Sequence, residues 1–101
     1  MGKGKIAAQV GHAAVGCFQT AARKCPAALR AWERTGCAKI ALKCPHGERE
    51  AIAARAAAKD IPRYVVVDAG RTQIAAGSRT VVGLFGPTSV FEGVTDHLKL
   101  M

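Results

Sequence analysis

Three polar side chains near the start of the chain have the spacing of one helical ridge. Lys5, Gln9 and His12 are separated by four and then three residues, so on an α-helix they lie along a single face. A lysine ammonium can stabilise negative charge that develops on a carbonyl oxygen, and an amide can hold water or an ester by hydrogen bonds. The same spacing is also typical of a solvated helix face, and that alternative stays open.

A second polar group follows the most apolar part of the chain. Asp68 directly follows the run 64–67 (Tyr-Val-Val-Val), and Thr72 comes four residues later. Ligands of α/β sheets collect outside the carboxyl ends of strands, which gives Asp68 the position of a site residue. A carboxylate there can orient or partly deprotonate water. The alternative is that Asp68 only forms an Asx-type turn or caps a helix.

The charge of the chain favours a polyanionic partner. Its 101 residues include 15 Lys and Arg against seven Asp and Glu, a formal net charge of +8, which attracts nucleic acid in a salt-dependent way. No acidic residue precedes Glu33, and Lys3 belongs to this basic start. Arg71 and Arg79 are candidate phosphate contacts or ordinary surface charges. RNA is therefore the first partner to consider.

Several other kinds of site and segment are not indicated. The start Gly2-Lys3-Gly4-Lys5 lacks the spacing of a phosphate-binding P-loop, and the chain has no Gly-x-Ser-x-Gly elbow. The four cysteines lack metal-ligand or redox-pair spacing, so we expect reduced thiols, no metal and no cofactor. No apolar run approaches the roughly 18 residues of a membrane span, and no membrane partner is expected. We expect a cytoplasmic protein, although the basic, alanine-rich start also resembles a mitochondrial transit peptide.

Proline and glycine divide the chain into segments with helical spacing. Small and apolar residues recur at helical intervals up to Pro26, which predicts a first helix of about five turns. A second short helix is predicted from about Pro26 to Thr35, ending at Gly36. The alanine-rich segment 48–59 predicts a third helix, and a short one is expected near residues 89–95.

Three segments have the composition of β-strands, namely 38–43, 64–67 and 80–85. The continuous apolar run 64–67 is typical of an inner strand covered on both faces. The alternation of strands and helices predicts an α/β fold: a small mixed sheet with helices packed on both faces, in a three-layer α/β/α arrangement. The length predicts a single domain over residues 1–101.

Two long motifs resemble those of a known family. The segment 2–9 (Gly-Lys-Gly-Lys-Ile-Ala-Ala-Gln), followed by His12-Ala13-Ala14, is similar to the opening motif of the type 2 peptidyl-tRNA hydrolases of archaea and eukaryotes. The segment 68–75 (Asp-Ala-Gly-Arg-Thr-Gln-Ile-Ala) resembles the second signature of that family, and 97–100 (His-Leu-Lys-Leu) resembles its usual ending. The resemblance covers essentially the whole chain.

The resemblance implies hydrolysis of the ester between a peptide and the terminal ribose of tRNA, which recycles tRNA from aborted translation. By residue matching, the implied catalytic group is Lys5, Gln9, Asp68 and Thr72. His12 matches a family histidine near the site, and we assign it to substrate binding together with Lys3, Arg71 and Arg79. The implied partner is peptidyl-tRNA.

The resemblance also implies an N-terminally truncated domain. Family members usually carry a strand of about seven residues, an ordinary strand length, before the glycine-lysine motif, whereas this sequence starts at Met1 inside that motif. A sheet that lacks a strand has an exposed edge, which favours a homodimer or strand exchange.

Two non-enzymatic hypotheses stay open beside the hydrolase. One is a catalytically impaired family member that binds tRNA or protein without turnover. The other is a small interaction protein that uses its apolar helix and an exposed sheet edge. RNA binding with a steep salt dependence but no ester cleavage would favour the first, and salt-insensitive partner binding would favour the second.

Overall fold

The computed structural model describes residues 2–45, 47–67 and 79–101. In chain order its elements are α1 (Lys3–Lys24), α2 (Pro26–Arg34), α3 (Arg49–Ala58), β1 (Arg63–Val67), β2 (Arg79–Leu84) and a short 3-10 helix (Thr88–Phe91). The three predicted α-helices are confirmed, whereas the helix predicted near residues 89–95 is a single turn of 3-10 helix.

A single residue separates α1 from α2 because of Pro26. Proline disfavours the helical conformation of the residue before it, and Cys25 has φ −147° and ψ 64°. Pro26 itself occupies the first position of α2, where a helix has no partner for the missing N–H. One proline therefore ends the first helix and begins the second.

Helices α2 and α3 end in the same type of backbone turn, and each turn contains a residue with positive φ. In α2 that residue is Gly36 at φ +106°. In α3 it is Asp60 at φ +56°, and the N–H of Ile61 donates to the carbonyl of Ala56 with 2.9 Å between N and O. Both are Schellman motifs, and in α3 the buried side chain of Ile61 supplies the apolar contact that accompanies the motif.

Strands β1 and β2 form an antiparallel ladder in which Tyr64 lies opposite Gly83 and Val66 lies opposite Val81. The register shifts between Val66 and Val67. In the described residues the sheet consists of these two strands. Because side chains alternate along a strand, Tyr64, Gly83 and Val66 share one face of the sheet.

Helix α1 packs closely on that face, and two glycines permit the approach. A Cβ added at Gly83 would lie 2.9 Å from the carbonyl oxygen of Ala13, which is closer than real Cβ atoms come. A Cβ added at Gly16 would overlap the ring of Tyr64. The separation between α1 and the sheet is therefore set by hydrogen atoms at positions 16 and 83.

The opposite face of the sheet is covered by α3 and the C-terminal segment. Its core consists of four side chains between 0% and 4% exposed: Ile52, Ala56, Ile61 and Val94. Leu84 of β2 packs against this cluster. Helical layers thus lie on both faces of the sheet, which confirms the predicted α/β class with helices on both sides.

The strand predicted at residues 38–43 is wrong. Within this segment only Leu42 makes a β-bridge, an isolated antiparallel one with Leu100, supported by a hydrogen bond from the N–H of Lys43 to the carbonyl of Lys99 (N to O 2.8 Å). Ile40 is 75% exposed. Alternating apolar residues fit a half-buried pleated surface, but a strand also needs a partner edge over several residues, and here the ladder is a single bridge to Leu100.

Strand β1 is less covered than its continuous apolar run predicts. Val66 is buried, whereas Tyr64 and Val67 are exposed. In the part of the chain that the structure describes, β1 pairs with β2 alone. Strand β1 therefore behaves as an edge strand within the described residues, with alternating burial.

Candidate functional site

An open cavity of about 440 Å³ lies between α1 and β1. Lys5, Gln9 and His12, the three residues of the predicted ridge, line it from the helix. Tyr64 and Val67 line it from the strand. The structure therefore brings the ridge to the end of β1 at which the sequence placed its second polar group.

Gln9 is the buried member of the ridge. The residue is 7% exposed, and its Oε1 atom has no hydrogen-bond partner among the described residues. An unpaired buried carbonyl typically costs about 1–3 kcal/mol of folding free energy. Lys5 is half-buried and His12 is exposed. The alternative of a solvated helix face therefore does not hold for Gln9, which lines the cavity although its Oε1 is buried.

The described wall of the cavity carries no acidic side chain. It contains the Lys5 ammonium, polar groups from Gln9, His12 and Gln19, and apolar or aromatic surface from β1. Basic and polar groups beside a ring are suited to an anionic ligand that also has a flat apolar part. The composition of the wall agrees with the net charge of +8.

Two of the remaining predicted site residues lie in described elements, and three do not. Lys3 is exposed in the first turn of α1, two residues before Lys5. Arg79 begins β2, and its backbone lies opposite Val67. Three predicted residues lie outside the described residues: Asp68, Arg71 and Thr72.

Seven lining residues were missed by the sequence analysis, among them Gln19, Tyr64 and Val66. Tyr64 and Val66 are alternate residues of one strand and so share a face, which was visible in the sequence. The continuous apolar run predicted a strand buried on both faces, so the partial exposure of the Tyr64 ring was not predicted. Helical spacing from His12 would also have reached Gln19, seven residues further along α1.

The cysteines do not supply a nucleophile to this site. All four thiols are free, as predicted. Burial, with a smaller contribution from Cys25, raises the pKa of Cys17 from 9.0 to about 11. Burial also raises the pKa of Cys44, although Arg49 opposes the shift. A thiol is nucleophilic as its thiolate, so Cys17 is protonated and inert near neutral pH.

The described residues form neither a cluster of metal ligands nor a membrane-spanning helix. No group of three or more His, Cys, Asp and Glu side chains there is arranged to hold a metal ion. None of the described helices combines the length and apolar character that crossing a membrane requires.

Comparison with known proteins gives consistent matches over the whole chain. The family model described as peptidyl-tRNA hydrolase PTH2 matches residues 1–101. The "Probable peptidyl-tRNA hydrolase 2" of Drosophila melanogaster is 48% identical over 104 residues, covering 100% of this chain and 55% of the relative. The human "Peptidyl-tRNA hydrolase 2, mitochondrial" is 45% identical over 102 residues, covering 99% of this chain and 57% of the relative.

A relative from Saccharomyces cerevisiae, "Peptidyl-tRNA hydrolase 2", is 44% identical over 108 residues, which is 99% of this chain and 52% of the relative. The chain thus spans about half the length of the curated relatives it matches. The match to the family model from the first residue to the last, together with this level of identity, confirms the resemblance seen in the motifs. The chain belongs to the peptidyl-tRNA hydrolase PTH2 family.

Proposed function

We propose that this chain hydrolyses the ester bond between the peptide and the terminal ribose of peptidyl-tRNA, and so recycles tRNA from aborted translation. Family membership supports the proposal, as do the names of the relatives. The cavity supports it independently, because it combines a cation, a buried amide and a neutral aromatic wall in one place.

In the proposed reaction, water attacks the ester carbonyl carbon. Asp68 orients the water or Lys5 and accepts a proton as the new carbon–oxygen bond forms, while the Lys5 ammonium stabilises the oxyanion. Gln9 and Thr72 hold the water and the ester by hydrogen bonds. Collapse of the tetrahedral intermediate breaks the bond to the ribose oxygen, which takes up a proton, and the peptide leaves as a carboxylate.

The basic residues around this group are proposed to hold the RNA part of the substrate. Their contacts with phosphates would fix the position of the tRNA and would weaken as salt concentration rises. The residues assigned to this role are Lys3, His12, Arg71 and Arg79.

One observation carries the proposal: Gln9, a buried amide whose Oε1 has no hydrogen-bond partner among the described residues, lines the cavity together with Lys5. An amide in this place can hold the attacking water or the ester by hydrogen bonds when the substrate enters the cavity. Val67 lines the same cavity, and Asp68 is the next residue in the sequence. This adjacency supports the assignment of its carboxylate to the same site.

The direct test is the release of peptide from purified peptidyl-tRNA by this chain and by its Asp68→Ala and Lys5→Ala variants. Loss of a general base typically lowers a rate by about 10² to 10⁴-fold, so we expect Asp68→Ala to fall in that range. Arg55→Ala is the matched control, because Arg55 is exposed on α3, which covers the opposite side of the sheet. Its rate should equal that of the parent chain.

Two other outcomes would change the assignment. Equal rates for the parent and Asp68→Ala would remove Asp68 from the mechanism. Binding of tRNA with a steep salt dependence, but without ester cleavage by the parent chain, would replace the hydrolase with the catalytically impaired, tRNA-binding alternative.

Compartment and assembly are further proposals. The human relative carries the word mitochondrial in its name, whereas the yeast relative names no compartment. We propose a cytoplasmic or mitochondrial location, which imaging of the tagged full-length protein would decide. A homodimer is proposed because β1 pairs with β2 alone among the described residues, and light scattering of the purified chain tests it.

A further inference from the structure

The ring of Tyr64 rests on the backbone of α1 at Gly16. The three ring atoms Cγ, Cδ2 and Cε2 are almost equally distant from the place where a Cβ of Gly16 would lie. Equal separations from three consecutive ring atoms mean that Gly16 meets the face of the ring rather than its edge. Any side chain at position 16 would displace the ring, so the orientation of Tyr64 depends on this glycine.

Part of the Tyr64 side chain is exposed and lines the cavity. Tyr64 is 42% exposed although it lies on the α1 side of the sheet, and it lines the cavity that holds Gln9 and His12. A flat, rigid, half-exposed aromatic surface is therefore presented inside the candidate site.

The charged residues near the Tyr64 ring indicate the kind of ligand that would bind there. Helix α1, which forms one wall, carries Lys5 and has no acidic residue, and the proposed site adds a single carboxylate, that of Asp68. A nucleic acid end supplies both the negative charge that such a wall attracts and a flat base that stacks on an aromatic ring. A peptide offers apolar side chains to the ring but no comparable charge.

We propose that Tyr64 is the stacking platform for the unpaired base at the 3′ end of the RNA substrate, and that Gly16 makes room for this platform. The proposal rests on the proposed function, because it deepens the same site by assigning it a base-binding position. Gly16 lies seven residues after Gln9, about 10 Å along α1, so a base stacked on Tyr64 would direct its ribose and ester along the cavity toward the Gln9 side chain. Tyr64 is then a binding residue, and its effect should fall on substrate affinity.

The composition of the chain allows a direct measurement of the stacking. Tyr64 is the only tyrosine, so incorporation of fluorotyrosine gives a single ¹⁹F resonance from this ring. The probe is a short single-stranded oligoribonucleotide with an unpaired 3′-terminal adenosine, titrated in parallel with the same oligonucleotide bearing an abasic 3′ end. We expect the intact probe to shift the resonance and the abasic one to bind on the order of tenfold more weakly.

The probe contains no ester, so its binding tests the stacking role of Tyr64 separately from the proposed hydrolysis. Identical shifts and affinities with both probes, or no shift with either, would overturn the stacking role whether or not the chain hydrolyses peptidyl-tRNA. A shift with an N-acylated peptide but not with the oligonucleotide would also overturn it, and would assign the ring to the peptide instead.

Variants provide the second measurement. Tyr64→Phe keeps the aromatic face and should retain oligonucleotide binding, whereas Tyr64→Leu should lose on the order of tenfold in affinity. On peptidyl-tRNA, Tyr64→Leu should raise KM by a similar factor and leave kcat nearly unchanged. A fall in kcat with unchanged KM would contradict a binding role.

The fluorescence of the single tryptophan, Trp32, is the control for folding in these variants. Trp32 lies between Phe18 and Phe85, with ring centroids 6.3 Å and 5.9 Å away, and its Nε1 donates to the carbonyl of Ala38 at 2.8 Å. An unchanged Trp32 fluorescence spectrum would show that Tyr64→Leu is folded. If that variant fails to fold, the comparison of the intact and abasic probes on the fluorinated parent chain still decides the proposal.

Discussion

The two faces of the sheet are built in different ways. On the α3 face, Ile52, Ala56, Ile61 and Val94 are 0–4% exposed and form a closed apolar core. On the α1 face, helix and strand leave a cavity of about 440 Å³ whose wall includes Gln9, a buried amide with no partner for its oxygen among the described residues. The same short ladder therefore supports folding on one side and leaves an unfilled polar site on the other, as expected where function opposes optimal packing.

The largest expected effect is a difference in the free energy of unfolding between variants on the two faces of the sheet. Ile52→Ala removes buried methyl groups from the closed core and should lower the free energy of unfolding by about 2–5 kcal/mol. Val15→Ala is the matched truncation on the cavity side, where Val15 is 60% exposed, and should change it by less than about 0.5 kcal/mol. Urea denaturation measures both variants. Equal losses would mean that the two faces contribute alike to folding.

The next effect tests whether α1 depends on glycine for its approach to β1. Gly16→Ala places a methyl group into the ring of Tyr64 and should cost about 1–3 kcal/mol, the usual range for overpacking. In the background of Tyr64→Ala most of that cost should disappear, because the group that clashes has gone. A double-mutant cycle in urea measures the coupling. Additive losses would show that the strain comes from elsewhere.

A smaller effect tests the buried amide. Gln9→Met keeps the length of the side chain but removes the oxygen that lacks a partner among the described residues. We expect the free energy of unfolding to rise by about 1 kcal/mol while peptide release from peptidyl-tRNA falls. The two changes are measured by urea denaturation and by the hydrolysis assay. A variant that loses both stability and activity would indicate that Gln9 is a packing residue.

The last effect appears only at high pH and concerns Cys17 in α1. Burial raises the pKa of Cys17 from 9.0 to about 11, so above pH 9 the folded chain retains a thiol proton that the unfolded chain loses. The stability contributed by this proton is complete below about pH 9 and is lost as pH rises through about 11. Cys17→Val should remove this part of the pH dependence in denaturation curves. A variant that keeps the same slope as the parent would assign the slope to other groups.

Most helix boundaries followed from the sequence because their causes are local. Pro26 restricts the residue before it, and Gly36 provides the positive φ that a helix end requires, whatever the rest of the chain does. Asp60 makes the same kind of turn at the end of α3. That turn was less visible, because aspartate adopts a positive φ only in some contexts.

Strand predictions were less secure because a strand depends on a distant partner. Residues 38–43 and 64–67 were both predicted as strands, yet only the second forms a ladder in the described residues, through its pairing with β2. Pairing joins segments far apart in sequence, so composition and alternation alone do not decide which segment finds an edge.

The sequence by itself determined the net charge, the helix ends around Pro26 and the ridge of Lys5, Gln9 and His12, because charge, backbone restriction and helical periodicity act over a few residues. Only the tertiary structure decided that Gln9 is buried and that Tyr64 lies on Gly16. Those two facts depend on where α1 crosses the sheet and in which register, and they arise from contacts between residues about 50 positions apart, which no local rule describes.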